Sequence, residues 1–248
     1  MIEIKTIEEV EKIRNSGKIL RSVLNLVRKN IKPGVATIEL SRLAEDFIIK
    51  HGAIPAFKGY KGFPEALCIS INEELIHGIP GSRTIKESDV VSVDGGVLFE
   101  GWYSDAAFTV IAGEPVNENA RRLVEVTEQA LYVGIKEARI NNRIGDIGHS
   151  IQNFVESFGF SVIRDYSGHG IGKKLHEDPS VPNFGRPGQG VLLKKGMVIA
   201  IEPMVAEGNN KLFVEGNGWT VKTLDHSLAA HFEHTVAIGN NGPEVLTA

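Results

Sequence analysis

The sequence predicts a mixed α/β fold built from two related halves, and three observations lead there. Stretches with helical hydrophobic spacing come in two pairs, an apolar alternating stretch follows each pair, and matching positions of the pairs are separated by one constant interval. In the first pair, Thr6 followed by Glu9 forms a capping box ahead of Val10, Ile13, Gly17, Leu20, Leu24 and Val27, which share one helical face. Pro33-Gly34 stops that helix. The second helix runs from Thr37 to about His51 with Leu40, Ala44 and Phe47 inward, and Gly52 ends it. Asn117 caps a third helix bearing Leu123, Val126, Ala130 and Val133. A fourth carries Ile147, Ile151 and Phe154 and ends at Gly159. Those three residues and Gly159 each fall 107 positions after Leu40, Ala44, Phe47 and Gly52.

The strands repeat in the same way. "DVVSVDGG" puts Val91 and Val93 on one face and Val90, Ser92 and Asp94 on the other. "GMVIAIEP" puts Met197, Ile199 and Ile201 on one face and Val198, Ala200 and Glu202 on the other. Asp94 and Glu202, 108 positions apart, become equivalent: each is expected as a carboxylate at the end of an apolar strand. Each is followed by another acid in a further strand-like run, Asp105 in "SDAAFTVIAG" and Glu233 in "HFEHTVAIG". The chain is thus expected to be one catalytic domain, 1–248, with halves of about 1–113 and 114–248.

Composition limits the function classes. With 248 residues, 42% of them hydrophobic, the chain can bury a sizeable core. A net charge of −4 gives no reason to expect nucleic acid as substrate or a membrane surface as partner. The opening "MIEIKTIEEVEKIR" is charged, and no apolar run approaches a membrane span, so a cytoplasmic chain is expected. A lone cysteine, Cys68, excludes an internal disulfide and a thiolate zinc cluster.

Four acids converging from four strands would repel, and the segments around Asp94, Glu202 and Glu233 hold almost no cations. Two divalent ions balance four negative charges. The stretch "SGHGIGKKLHE" supplies His169 and His176 within a glycine-rich backbone that fits neither phosphate-loop pattern. Taken alone, the stretch accommodates a metal ligand, a proton shuttle or a satisfied polar residue. Beside the acids, His169 reads as a nitrogen ligand. Carboxylates and one imidazole without sulfur suit Mn, Fe(II), Co or Zn. Too few residues for two closed shells implies bridging carboxylates, as in dinuclear hydrolases.

At this point the residues resemble a known family. "NEELIHGIP" with His77, "VSVDGG", "YSDAAFT", "GHGIGKKLHE", "AIEPM" and "HFEHT" are similar, in order and spacing, to motifs of the type I methionine aminopeptidases. The resemblance covers nearly the whole chain. It implies the pita-bread fold, two pseudo-symmetric halves around a dinuclear site. The short interval from Glu202 to Glu233 matches type I, and by resemblance the chain is expected to begin directly at the catalytic domain. By resemblance, Asp94, Asp105 and Glu233 hold one metal, and Asp105, His169, Glu202 and Glu233 hold the other. A hydroxide between the metals is implied as nucleophile and Glu202 as proton shuttle. His176 is implied to contact the substrate and stabilise the tetrahedral intermediate, and His77 to contact the substrate across the cleft.

The substrate implied is a nascent polypeptide or peptide with N-terminal methionine and a small second residue. Tyr60, Phe63, Cys68 and Trp219 are implied as its pocket, and aromatic walls suit a thioether. Two positions depart from the family pattern, Phe57 and Leu175, both near the pocket in relatives. A monomer is expected. Lys173-Lys174 and Lys194-Lys195 read as solvated surface, with ribosome contact as their functional alternative. The rival readings are an Xaa-Pro peptidase of the same fold, a catalytically inactive binder on that fold, and a metal phosphoesterase. All five ligand positions are filled, and no phosphate loop is present.

Overall fold

In the computed structural model, which describes residues 2–248, the capping box at Thr6 forms on both sides. The Glu9 N–H donates to Thr6 Oγ1 at 3.2 Å and the Thr6 N–H donates to Glu9 Oε2 at 2.9 Å. Helix α1 spans Ile7–Asn30 and α2 spans Thr37–Lys50. In the second half α3 spans Glu118–Glu137, its N-terminus capped by Asn117 Oδ1, and α4 spans Ile144–Ser157. Helix phase differs from expectation by one residue at two places. Ile48 and Val155, not Phe47 and Phe154, take the fully buried positions, while the two rings pack at the rim of the core. Both ring positions sit where the helix turns from core to solvent, and Ile48 and Val155 keep the interval of 107.

The strands of the first half are β1 (Ile54–Pro55), β2 (Leu67–Ile71), β3 (Glu74–Ile76), β4 (Val90–Phe99) and β5 (Trp102–Ile111). Those that follow are β6 (Ser161–Val162), β7 (Ser167–Gly170), β8 (Glu177–Pro182), β9 (Val198–Ile201) and β10 (Met204–Ala206). The chain closes with β11 (Leu212–Val214), β12 (Val221–Thr223), β13 (Ala229–His231), β14 (Glu233–Gly239) and β15 (Gly242–Val245). A nine-stranded antiparallel sheet runs β1-β4-β5-β14-β9-β7-β8, with β2 added on β4 and β15 on β14. Two small sheets, β13-β10-β6 and β11-β12-β3, flank it. The main core lies between this sheet and the helices and contains Val91, Val93, Ile199 and Ile201. A second cluster, with Phe57, Phe63, Cys68, Leu175 and Val198, underlies the cleft on the other face. This division follows the alternation read from the strands.

One strand expectation is corrected. Asp94 stands in the middle of the ten-residue β4, not at its end, because Gly95 and Gly96 continue the ladder opposite Ala106 and Asp105. A Cβ at Gly96 would lie 2.9 Å from the Ala56 Cβ and 3.0 Å from the Phe57 ring, so glycine there admits the loop bearing Phe57. Glu202 does stand just beyond the end of β9. No helix among the described residues is long and apolar enough to cross a membrane.

β5 and β14 join at the centre of the sheet, and their direct register is brief, Glu233 with Ala107 and His234 with Ala106. Two buried threonines extend it. Thr235 Oγ1 accepts from the Asp105 N–H at 3.0 Å and donates to the Asp105 carbonyl at 2.8 Å. Thr109 Oγ1 accepts from the His231 N–H at 3.0 Å and donates to the His231 carbonyl at 2.7 Å. Thr235→Val keeps the shape of the residue and orphans both Asp105 backbone groups. We expect it to lose about 2–4 kcal/mol of unfolding free energy in urea. Thr235→Ser should retain most of it; equal losses in both variants would contradict the hydroxyl clamp.

Candidate metal centre

The central strands deliver acids to one buried place. Asp105 comes from β5 and Glu233 from the first position of β14, 3% and 2% exposed. His169, on β7, joins them, and one ligand atom from each of the three lies within 4.8 Å of the others. His169 Nε2 is 3.8 Å from Asp105 Oδ2 and 3.7 Å from Glu202 Oε1. Its other nitrogen, Nδ1, lies 2.9 Å from the Gly170 carbonyl, which can only accept. Nδ1 therefore carries the hydrogen, and Nε2 turns a bare lone pair toward the acids. Asp94 reaches the same centre from β4, where it pairs in register with Ala107.

Electrostatics make the group unstable as four free carboxylates. Burial pushes Asp94 up to about 7. Burial, then the charges of Glu233 and Asp94, holds Asp105 well above the usual carboxylate range. Burial raises Glu202, assisted by Asp94 and Asp105, and raises Glu233, assisted by Glu202 and Asp94. Among the described residues no Lys or Arg forms an ion pair with any of them. Asp94 Oδ1, Asp105 Oδ1 and Glu233 Oε1 are buried with no hydrogen-bond partner. Burial drives His169 the opposite way, down to about 3, aided by His176. Orphaned carboxylate oxygens in one cluster with a bare imidazole nitrogen are the donor set a divalent cation requires. The residues fit a metal.

All eleven residues singled out in the sequence line one cavity of about 180 Å³. They are Asp94, Asp105, His169, Glu202 and Glu233 at the acid end, with His77, His176, Tyr60, Phe63, Cys68 and Trp219 around them. Phe57 and Leu175 contribute to the wall. Trp219 follows the turn between β11 and β12, where Asn217 Oδ1 accepts from the Trp219 and Thr220 N–H groups. Phe63 meets the Trp219 ring edge-on at 5.2 Å. The His176 ring lies 4.3 Å from His169, and its Nδ1 is 3.0 Å from Tyr60 Oη. His77 stands edge-on to Trp219 and Tyr166, and burial lowers it to about 4. Cys68, opposite Asp94 in β2, has its thiol pushed up by burial and therefore stays protonated.

Two residues here were not drawn out by the sequence reading. Lys61 lines the cavity with its ammonium 5.4 Å from the Tyr60 ring centre. His231, 2% exposed, has Nε2 without a hydrogen-bond partner, 3.8 Å from Glu202 Oε2. Its signal was present, since it stands two positions before Glu233 and so on the same side of an extended chain.

The profile of metallopeptidase family M24 matches residues 11–240. A methionine aminopeptidase of Clostridium acetobutylicum is 56% identical over 248 residues, covering 100% of this chain and 99% of that one. This chain belongs to the methionine aminopeptidases of family M24. Among solved structures, the methionine aminopeptidase of Thermotoga maritima superposes with a TM-score of 0.98 at 50% identity, covering 100% of this chain and 99% of that one. The prolidase of Pyrococcus furiosus superposes at 0.79 with 26% identity, covering 99% of this chain and 65% of that one. The methionine aminopeptidase and prolidase folds thus share this pita-bread architecture, and the chain that carries the acid cluster belongs to a metallopeptidase family.

The pKa directions set a pH dependence for the metal-free chain. The acids are raised in the fold, so their contribution is intact at low pH, where both states are protonated. It is lost as pH rises from the ordinary carboxylate range through about 7 for Asp94, and its neighbours, also raised by burial, act in the same direction. The imidazoles His77 and His169 are depressed to about 4 and 3, so they act oppositely, costing stability only as pH falls below their ordinary value. From about pH 6.5, where the imidazoles cease to contribute, through about 7 the acids dominate, and the melting temperature of the metal-free chain should fall. Adding Mn(II) in that range should restore it and release about one proton or more per ion. A pH-stat titration checks this; binding without proton release would contradict the protonated acids.

Proposed function

We propose that the chain hydrolyses the first peptide bond of polypeptides beginning with methionine, releasing free methionine, with a preference for a small second residue. The observation that carries this reading is the shape of the cavity: apolar and aromatic walls enclose room for one side chain, and the acid cluster closes one side. A cavity of about 150 Å³ holds a benzene ring, so 180 Å³ suffices for a methionine side chain. Phe63, Tyr60 and Trp219 offer ring edges and faces to the thioether, while Cys68 offers a protonated, uncharged thiol.

Asp94, Asp105 and Glu233 would hold one divalent ion, and Asp105, His169, Glu202 and Glu233 a second. Bound there, Co, Mn, Fe(II) or Zn supplies positive charge that balances the acids, acidifies water and polarises the scissile carbonyl. Glu202, at the acid end of the cavity with its Oε1 3.7 Å from His169 Nε2, would accept the proton of the attacking water and return it to the leaving amine. Tyr60 Oη lies 3.0 Å from His176 Nδ1, and with the hydroxyl as donor in that pair Nε2 carries the imidazole N–H. That N–H stabilises the carbonyl oxygen as it gains charge. His77 contacts the substrate from across the cleft, beside Trp219.

The same proposal takes residues 1–113 and 114–248 as the two halves of one catalytic domain, acting as a cytoplasmic monomer. Lys174, Lys194 and Lys195, all exposed, are its candidates for contact with the ribosome. Lys173 is engaged already, 3.7 Å from Glu9 and 5.2 Å from the Trp102 ring.

Metal-stripped protein should release no methionine from Met-Ala-Ser and regain activity with at least one of Mn, Fe(II), Co or Zn. Cleavage of Xaa-Pro dipeptides in its place would move the chain to the prolidase side of the family. Asp105→Ala should remain folded and lose both bound metal and turnover. His176→Ala should keep its metal, measured by elemental analysis, and lose kcat by about 10²–10³-fold. Metal loss in His176→Ala would make that residue a ligand.

A further inference from the structure

His176 stands on a loop between β7 and β8, and the loop is held from outside by the start of the chain. Lys5 is 6% exposed, and its Nζ donates to Glu177 Oε2 at 2.5 Å and to the Glu3 carbonyl at 3.2 Å. The two partners are 172 positions apart, with side chains only 3% and 8% exposed. Glu177 directly follows His176, and its second oxygen, Oε1, accepts from the Lys174 N–H at 3.1 Å, closing the loop on itself. The Lys5 stem fills the space above Gly172, where a Cβ would lie 2.6 Å from Lys5 Cε and 2.8 Å from Glu177 Oε1. Its backbone is fixed as well, since the Lys5 N–H donates to the Gly196 carbonyl at 2.8 Å. On the inner side the loop is tied by the Tyr103 N–H to the Gly172 carbonyl and by the Ile171 N–H to the Val198 carbonyl.

We infer that Lys5 is a positioning residue for the reaction: its buried ion pair with Glu177 sets where His176 meets the substrate. The inference rests on the reading of His176 as a substrate-contacting group. A buried pair is poorly explained as a stabilising device alone, because removing two charges from water offsets most of their attraction. A pair placed next to a catalytic side chain has a second use, since displacement of a reacting group by about 1 Å can reduce the rate about 10²-fold. Lys5 touches neither the cavity nor the acid cluster, so its effect must pass through Glu177 and the loop.

A double-mutant cycle on the metal-loaded full chain tests this with Met-Ala-Ser. Lys5→Met should lower kcat about 10-fold or more, with KM changed by less than about twofold and metal content unchanged. In the His176→Ala background the same substitution should have no further effect on kcat, because the group it positions is gone. Ring resonances of His176 in the metal-free protein should shift in Lys5→Met. If Lys5→Met fails to fold, Glu177→Gln carries the same cycle, since it removes the charge and keeps the acceptor for Lys174. Parental kcat in Lys5→Met overturns the inference, as do losses that multiply with those of His176→Ala, or loss of metal. Full activity in His176→Ala overturns the underlying reading of that residue and the inference with it, whereas an impaired His176→Ala beside a fully active Lys5→Met overturns the inference alone.

Discussion

Everything in this molecule answers to one electrostatic problem, which is four buried carboxylates held together with no Lys or Arg paired to any of them among the described residues. Left ionised and unpaired, they would push the strands apart, because charges a few ångströms apart in a poorly polarisable interior interact far more strongly than at a surface. The fold meets this by mounting Asp94 and Asp105 within continuous strands and Glu233 and Glu202 at strand ends that the sheet itself fixes. At the centre of that frame the β5–β14 register is brief, and there Thr109 and Thr235 each donate and accept across it. Hydroxyls suit the task because each supplies a donor and an acceptor in one small group and carries no charge into the acid cluster.

The imidazoles are arranged on the same principle. His77, His169 and His231 are driven by burial to pKa values of about 4, 3 and 3, so all three are neutral beside the acids. Were they protonated, they would form internal ion pairs with the carboxylates and compete with any external cation. Kept neutral, His169 has a free lone pair and the carboxylates have unpaired oxygens, which are useful only to something positively charged. The site is therefore selective by what it withholds. It denies the acids every internal cation.

Much of this architecture can be read from local sequence, and what cannot is long-range. Capping at Thr6 and Asn117, the stops after both helix pairs and the alternation in β4 and β9 depend on neighbours within a few positions, so their signals survive in one dimension. The acids were legible for a related reason: an ionisable group in an apolar strand stands out wherever the strand goes. The position of Asp94 within β4 was misjudged because a glycine pair resembles a turn, and only the partner strand shows that the ladder continues. The one-residue phase at Phe47 and Phe154 was missed because ring and branched aliphatic stand side by side, and packing against the sheet decides between them. Lys5 with Glu177, the threonine clamps and His231 against Glu202 are pairings between distant segments, and no periodicity encodes them.

The division of labour between sheet and loops follows from what each half of the site must do. Ligands for a cation must hold a geometry to within a fraction of an ångström, and they come from paired strands or their ends. The groups proposed to meet a substrate come from a short 3-10 turn (Tyr60), loops (Phe63, His176) and a hairpin (Trp219), which can differ among proteins of one fold without disturbing the strands that carry the acids. Loops alone are too loose for a group that must meet a reacting oxygen, so each is braced locally. Asn217 fixes the turn before Trp219, Gly96 admits the strand-edge loop of Phe57, and the ion pair of Lys5 clamps the loop of His176. One fold carries both a methionine aminopeptidase and a prolidase, so the difference between them must lie in side chains and loops and not in the architecture.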